Sequence, residues 1–153
     1  MRSLILFFAT GFGSGYAPVA PGTAGSVVGM VVVWLVFGPL WMRSPVLCLL
    51  IFAIAFAVAC WISDRAEKIF DNHDDSRIVI DEVLGMAATM FGNPITFGWL
   101  MVGFLLFRIA DVVKPWPASV IDRRMRNGAG VMLDDLAAAI YANIVLQVIV
   151  RIL

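Results

Sequence analysis

Two adjacent carboxylates, Asp81 and Glu82, stand between apolar residues in the stretch 78–85. A charged side chain costs about 2.5–3.5 kcal/mol at the centre of a membrane helix, and near the edge it still needs a cation, a metal ion or water as a partner. Carboxylate oxygens are the ligands that Mg²⁺ prefers, usually together with phosphate oxygens and water. The pair is therefore a candidate for metal binding and for catalysis on a phosphate group.

A second acidic pair, Asp134 and Asp135, follows Gly130 near the start of the last apolar segment. We expect this pair in the first turn of a helix, where the helix dipole favours negative charge. Capping alone needs one acid and two are present. Asp134 and Asp135 are therefore further candidate catalytic residues and metal ligands.

Arg108, Asp111 and Lys114 form a third cluster, spaced three residues apart so that they share one face of a helix. Arg108 and Lys114 are candidates to bind substrate phosphate, while Asp111 is a candidate metal ligand. The alternative is an ion-pair ladder that is satisfied within itself.

Asp64 and Glu67 are also three residues apart and are predicted metal ligands on one helix face. The alternative is solvated charge paired with Arg65 and Lys68.

The polar loop that follows contains His73, the single histidine of the chain, together with Asp75. We interpret His73 as a surface residue and expect Asp75 to be solvated. Without a second histidine, the histidine-based lipid phosphatases are excluded.

A Gly- and Pro-rich stretch over residues 11–25 precedes the first long apolar segment. That density of helix and strand breakers predicts an irregular loop. Small residues at its end let a ligand approach the backbone, Thr23 or Ser26 can cap the next helix, and free N–H groups there favour an anion such as phosphate. Thr23, Gly25 and Ser26 are therefore candidate substrate-binding residues, with an ordinary capped helix start as the alternative.

Composition indicates a single membrane domain over residues 1–153. Hydrophobic residues make up 61% of the chain, above the level of soluble domains. The net charge is zero and no basic tract with interleaved aromatics is present, which argues against nucleic-acid binding. Cys48 and Cys60 are interpreted as packing residues.

Apolar helices must position these clusters, and we predict an all-α membrane bundle. A short helix at the amino end lies in the interface, and one tight turn is expected, marked by Gly38-Pro39 and Arg43-Ser44-Pro45. Residues 83–113 are interrupted at Gly92-Asn93-Pro94, which predicts a broken or re-entrant helix. The long apolar segments cover residues 26–41, 46–63, 95–113 and 132–153.

The distribution of Lys and Arg predicts the orientation. Residues 64–82 and 114–134 are rich in basic side chains, which places both on the cytoplasmic side. Residues 83–113 must then enter the membrane and return, so that all the clusters meet at the cytoplasmic face. A single bent crossing is the alternative.

In this order the clusters resemble the phosphatidylglycerophosphatase A family. The matching segments are residues 13–26 (G-x-G-Y-x-P-x-A-P-G-T-x-G-S), 78–85 (I-V-I-D-E-V-x-G), 108–117 (R-x-x-D-x-x-K-P-x-P) and 130–138 (G-V-M-x-D-D-x-x-A). Ala139 departs from the family pattern, which often has glycine there.

The resemblance implies a Mg²⁺-dependent phosphatase of the bacterial inner membrane. Its substrate would be phosphatidylglycerophosphate and its products phosphatidylglycerol and inorganic phosphate. The residues themselves indicate only metal and phosphate at a membrane face, so the lipid identity comes from the resemblance. A small transporter is the rival class, but it predicts acids spread through the membrane depth. Here the acids cluster at segment ends; the oligomeric state is left open.

Overall fold

The computed structural model describes residues 1–72, 75–125 and 127–153, apart from the side chains of Asp122 and Arg123. The interpretation of His73 as a surface residue lies outside the described residues, as does Arg126, one of the basic residues of the stretch 114–134. Within this part of the chain there is no strand, which confirms the all-α prediction. The helices are α1 (Arg2–Ala9), α2 (Pro21–Val32), α3 (Gly38–Arg43), α4 (Pro45–Phe70), α5 (Ile80–Met90), α6 (Phe97–Val113), α7 (Ala118–Arg124) and α8 (Gly128–Ile152).

Helices α2 and α3 form one continuous segment over Pro21–Arg43, joined by a π-helical turn at Val33–Phe37. The Gly38-Pro39 part of the predicted turn is therefore wrong, whereas its Arg43-Ser44-Pro45 part is confirmed. Proline lacks the N–H of a helix interior and crowds the preceding turn, and the wider π turn accommodates both effects. The chain turns only at Ser44, whose side chain accepts a hydrogen bond from the Leu47 N–H and caps α4.

The Gly- and Pro-rich stretch is more regular than its composition predicts. A 3₁₀ turn occupies Ser14–Tyr16, and α2 already begins at Pro21. Proline is favoured in the first turn of a helix, because its missing N–H would have no partner there. The glycines that follow let α2 pack closely on α5, so tertiary packing overrides the local preference for a loop.

Among the described residues, three helical segments are long and apolar enough to cross a membrane: Pro21–Arg43, Pro45–Phe70 and Gly128–Ile152. This agrees with the predicted membrane bundle, except that α6, with 17 residues, is not among these segments although residues 95–113 were expected to be long enough to cross. Helix α5 has 11 residues, about 16 Å of helix, and is too short to cross. The structure has separate helices α5 and α6 on either side of residues 91–96. Their re-entrant arrangement in a bilayer stays a prediction.

Helix α5 lies at the centre of the fold, packed between α2 and α8. Glycines allow the close approach: a Cβ on Gly29 would lie 2.7 Å from Met86 Cβ, and one on Gly85 would lie 2.4 Å from the Phe107 ring. Met86 and Phe107 are fully buried as a result. At the far end of α5, the Asn143 amide of α8 donates to the carbonyls of Thr89 and Phe91, both at 2.8 Å. These bonds satisfy carbonyl groups that a helix end leaves without partners.

The loop between α4 and α5 is tied down by Asp75, which is only 6% exposed. Its carboxylate accepts two hydrogen bonds from the Arg77 guanidinium, both at 2.7 Å, and one from the Asn72 amide at 3.2 Å. The Arg77 guanidinium stacks 3.9 Å from the centre of the Phe70 ring. Asp75 is thus a buried structural residue, and its interpretation as solvated is wrong.

Candidate metal and phosphate site

Asp81 and Glu82 occupy the first turn of α5, where the sequence predicts them. The Glu82 N–H donates to the Asp81 carboxylate at 3.1 Å, and Asp81 is 7% exposed. Because successive residues on a helix differ by about 100° in direction, the two carboxylates leave α5 on different sides. Together, the two side chains can therefore contact three neighbouring helices, α8, α2 and α6, at one level of the bundle.

The carboxylates of Asp81, Glu82 and Asp135 converge. One oxygen from each residue lies within 4.8 Å of the others. Two buried oxygens of this cluster, Glu82 Oε2 and Asp135 Oδ2, have no hydrogen-bond partner among the described residues. Buried polar atoms without partners are rare and call for a bound ion or water. The geometry and the donor atoms therefore fit a divalent cation.

Asp134 and Asp135 lie six and seven residues into α8, which begins at Gly128, rather than in its first turn. The expected position is wrong, because the Asn127 side chain caps the helix earlier by accepting from the Gly130 N–H. The helix dipole acts within the first turn and therefore does not explain the pair. Only Asp135 joins the three-carboxylate cluster; Asp134 turns to Lys114, whose Nζ lies 2.6 Å from its Oδ2.

Helix α6 contributes Arg108 and Asp111, whose Nη1 and Oδ2 atoms form an ion pair at 2.7 Å. The contact lacks the alignment of a hydrogen bond, since Arg108 Nη1 has no bonded partner. The same Nη1 lies 3.9 Å from Glu82 Oε1, which places Arg108 at the rim of the cluster. Lys114 ends α6 in a left-handed conformation (φ +46°) and reaches across to α8. Arg108, Asp111 and Lys114 thus form ion pairs, as the alternative of an ion-pair ladder expected, but Arg108 also lies beside the carboxylate of Glu82.

Gly22, in the first turn of α2, is the site residue that sequence reasoning missed. A Cβ at this position would lie 2.2 Å from Glu82 Oε1 and 3.4 Å from Arg108 Nη1. The backbone of α2 therefore passes directly beside the acidic cluster. The sequence did contain a signal for this site residue, because the small residues of the stretch predicted that a ligand could approach the backbone. That prediction named Gly25 and not Gly22.

The predicted substrate-binding residues of α2 divide between two environments. Thr23 is half-buried in the first turn beside Gly22, where the first N–H groups of a helix have no partner within it. Gly25 faces Val79, 2.7 Å from the position of its missing Cβ. Ser26 is fully buried and donates to the Gly22 carbonyl at 2.9 Å. Neither Thr23 nor Ser26 caps α2, whose first flanking residue is Ala20; that expectation is wrong because the helix starts earlier.

Asp64 and Glu67 lie in the last turns of α4, outside the cluster of three carboxylates. Asp64 pairs with Lys68 at 2.7 Å, with 38% of its own side chain and 65% of the lysine side chain exposed. This contact matches the alternative of solvated charge for Asp64. The structure therefore brings Asp81, Glu82, Asp111, Asp134 and Asp135 together with Arg108 and Lys114, and leaves Asp64 at the surface.

The site carries excess negative charge, since five of these seven side chains are acids. Burial raises the pKa of Asp81, with the neighbouring Glu82 carboxylate adding in the same direction. Burial likewise raises the pKa of Glu82 to about 7, opposed by a hydrogen bond from Asp81 and reinforced by Asp135. Carboxylates in this setting are stabilised in their charged form by a nearby cation. The electrostatics therefore agree with the unpartnered oxygens in favouring a bound metal ion.

The fold and the site together define an all-helical membrane protein with a buried carboxylate cluster and adjacent basic side chains. A family model described as "Phosphatidylglycerophosphatase A" matches residues 7–150. The chain is 35% identical to phosphatidylglycerophosphatase A of Haemophilus influenzae over 92% of this chain and 85% of the relative. It is 34% identical to the Escherichia coli protein of the same name over 86% and 75%. A Bacteroides thetaiotaomicron protein named "Putative phosphatidylinositol-3-phosphatase" is 32% identical over 95% and 92%.

The chain belongs to the phosphatidylglycerophosphatase A family and is a phosphatase. No solved structure matches it. The resemblance drawn from the four sequence motifs is confirmed.

Proposed function

We propose that this phosphatase removes the terminal phosphate of phosphatidylglycerophosphate, using Mg²⁺ held by Asp81, Glu82 and Asp135. The observation that carries the proposal is the convergence of three buried carboxylates within 4.8 Å, two of them with an oxygen that lacks a partner. The names of the Haemophilus and Escherichia relatives supply the lipid.

This donor set favours a hard divalent cation, and the family resemblance selects Mg²⁺ among the candidates. Hard carboxylate oxygens select Mg²⁺, Ca²⁺ or Mn²⁺, whereas Zn²⁺ and copper sites in proteins usually include His or Cys. One or two of the three carboxylates would bind Mg²⁺ directly, the remaining one would bind it through water, and phosphate oxygens and water would complete its shell. When bound, it would neutralise phosphate charge and lower the pKa of a water molecule.

The basic residues at the rim are placed to bind the phosphate. Arg108 Nη1 already lies 3.9 Å from Glu82, so a phosphate beside the carboxylates falls within its reach. Lys114 is held by Asp134 on the opposite side. The backbone N–H groups of Gly22 and Thr23 add donors at the positive end of α2. Together these groups would stabilise charge on the phosphoryl oxygens as it develops.

Asp111 and Asp134 act as positioning residues in this proposal. Asp111 fixes the Arg108 guanidinium and Asp134 fixes the Lys114 ammonium. Asp64 and Glu67 lie outside the converging cluster, and the proposal gives them no role as ligands.

Two nucleophiles fit the geometry. Either water attacks phosphorus, or one carboxylate of the cluster attacks and forms an aspartyl- or glutamyl-phosphate that water then hydrolyses. In both cases the bond from phosphorus to the glycerol oxygen breaks, and inorganic phosphate and phosphatidylglycerol are released. Rapid acid quench with ³²P-labelled substrate distinguishes the two, because only the second route gives labelled protein.

Phosphate release by the purified protein in detergent tests the proposal. Activity should vanish in EDTA and return with Mg²⁺, while Asp81→Asn should release phosphate at least about a hundredfold more slowly even at saturating Mg²⁺. Full activity in the presence of chelator would contradict the proposed role of the metal ion. Absence of phosphate release under all conditions would contradict the proposed phosphatase activity on this lipid.

The lipid headgroup is tested in the same assay, because the Bacteroides relative is named for a phosphoinositide. We expect faster release from phosphatidylglycerophosphate than from phosphatidylinositol 3-phosphate, as the Haemophilus and Escherichia names indicate. The reverse order would reassign the substrate but leave the phosphatase site in place.

We further propose that the site faces the cytoplasm at the bacterial inner membrane. The basic side chains at residues 64–82 and 114–134 support this orientation through the preference of Lys and Arg for the cytoplasmic side.

A further inference from the structure

An apolar groove runs between α6 and α8. Its volume is about 220 Å³, and it is walled by Leu106, Ile109 and Val113 on one side and by Tyr141 and Val145 on the other. Ile109 is 61% exposed and Val113 is 68% exposed, so the groove is open sideways to whatever surrounds the bundle. In a membrane protein those surroundings are lipid chains.

The groove ends at the candidate site. Lys114 lies between two lining residues, Val113 at the end of α6 and Pro115 just after it, and its Nζ crosses to Asp134 on α8. Asp134 lies seven residues before Tyr141 and eleven before Val145, so all three fall within about 40° on one face of α8. The Lys114–Asp134 ion pair therefore marks the end of the groove, one residue away from Asp135.

The distance from the candidate site to the far end of the groove matches one leaflet of a bilayer. Asp134 to Val145 covers 11 residues, which is about 16 Å along a helix. The hydrocarbon core of a bilayer is about 30 Å thick, so that one leaflet contributes about 15 Å. A lipid with its phosphate beside Asp135 would thus have an acyl chain alongside Tyr141 and Val145.

We propose that the α6–α8 groove holds an acyl chain of the phosphorylated lipid substrate during the reaction; the inference rests on the proposed function. The groove guides the lipid from the bilayer to the carboxylates, with Lys114 at the point where the apolar and charged surfaces meet. The ligand class is a diacyl lipid with a terminal phosphate.

A second apolar groove, of about 260 Å³, lies among α1, α2, α4 and α5. Its α5 wall consists of Ile80, Val83 and Leu84. Glu82 points about 150° around the helix from the centre of these three residues, toward Gly22 and Arg108. A chain in this groove would have to pass around α5 to reach the cluster, so the α6–α8 groove is the direct route.

A photoactivatable lipid tests the proposal on the unaltered chain. Phosphatidylglycerophosphate with a diazirine in one acyl chain is added in nanodiscs with Mg²⁺ replaced by EDTA, irradiated, and the adducts are mapped by mass spectrometry. We expect adducts in residues 105–113 and 141–149. Adducts concentrated in residues 55–62, on the wall of the other groove, would overturn the proposal.

A matched pair of variants tests the role of the groove in turnover. Val145→Trp fills the α6–α8 groove, and Val58→Trp fills the other; the native side chains are 44% and 50% exposed. Each variant is assayed on a long-chain substrate and on its soluble dihexanoyl analogue.

For Val145→Trp we expect kcat/KM on the long-chain lipid to fall at least about tenfold, since losing the burial of about two methylene groups has that effect. Activity on the dihexanoyl analogue should stay near the wild-type value, and Val58→Trp should change neither. Unchanged long-chain turnover, an equal loss on both substrates, or the same selective loss in Val58→Trp would each contradict the proposal. Wild-type release from the dihexanoyl substrate reports separately on the proposed function.

Discussion

Replacing Gly22 by alanine adds one methyl group beside the acidic cluster. The new carbon would lie 2.2 Å from Glu82 Oε1, so the carboxylate must retreat by about 1.2 Å to reach ordinary contact at 3.4 Å. A displacement of about 1 Å in a reacting group can cost about a hundredfold in rate. We therefore expect kcat of Gly22→Ala to fall about a hundredfold.

The stability of the protein should respond differently from its activity. The atom displaced by the methyl group is the far end of a flexible glutamate side chain, and no backbone atom has to move. Alanine is favoured over glycine in a helix by up to about 1 kcal/mol. The free energy of unfolding should consequently change by less than about 1 kcal/mol, and the variant should insert and purify like the wild type.

The assay is phosphate release at saturating Mg²⁺, normalised to folded protein, with thermal unfolding measured on the same samples. Gly98→Ala on α6 is the matched control, because no described atom lies within 4 Å of its added methyl group. Combining Gly22→Ala with Glu82→Asp supplies a double-mutant cycle. The shorter carboxylate leaves room for the methyl group, so Gly22→Ala should cost much less in that background.

Wild-type activity in Gly22→Ala would refute this reasoning, since the methyl group and the carboxylate cannot occupy their positions together. The same hundredfold loss in the Glu82→Asp background would show that the methyl group acts through something other than Glu82.

Three further predictions follow from the contacts. Asp81→Asn and Asp135→Asn should each lower phosphate release at least about a hundredfold at saturating Mg²⁺, the upper range for disturbing even an outer partner of a metal. Asp64→Asn should have little effect, because Asp64 pairs at the surface with Lys68. Equal losses in all three variants would contradict the assigned site. Asp75→Asn should destabilise the protein by about 1.5–3 kcal/mol, the range for hydrogen bonds to charged groups. Because Arg77 lowers the pKa of Asp75 to about 2, this contribution to stability is present above the unfolded pKa of about 3.9 and is lost as pH falls toward 2. Thermal unfolding of the wild type and the variant at pH 6 and pH 2.5 shows whether their difference in stability shrinks. Single cysteines at Ser76 and Arg124, in a background without Cys48 and Cys60, should react with an impermeant reagent from the same, cytoplasmic side, and labelling from opposite sides would exclude the re-entrant arrangement of residues 83–113.

The sequence by itself determined the class of the protein. A long continuous apolar run satisfies its backbone polar groups in a membrane by forming a helix, so these runs were enough to predict the all-α bundle. The acidic pairs could be recognised because a carboxylate between apolar residues needs a partner. Their order along the chain was enough for the family resemblance.

Helix boundaries were less predictable. Proline and glycine indicated breaks at residues 11–25 and at Gly38-Pro39, yet α2 includes Pro21–Gly25 and the helix continues through Pro39. Glycine is unfavourable in a helix by its intrinsic propensity, but it is favoured in α2 because it allows close packing on α5. A π turn before Pro39 accommodates the loss of the backbone hydrogen bond that proline cannot donate.

Only the tertiary structure decided which carboxylates meet. Asp134 and Asp135 are neighbours in sequence but point about 100° apart on α8, so that one pairs with Lys114 and the other joins Asp81. Asp75 and Asp64 look alike as charged residues of a polar stretch, yet Asp75 is 6% exposed and the Asp64 side chain is 38% exposed. The direction of a side chain depends on the phase of its helix and on the neighbours that pack against it. Those neighbours come from distant parts of the chain, which is why Gly22 could be assigned to the site only once α2, α5 and α6 were assembled.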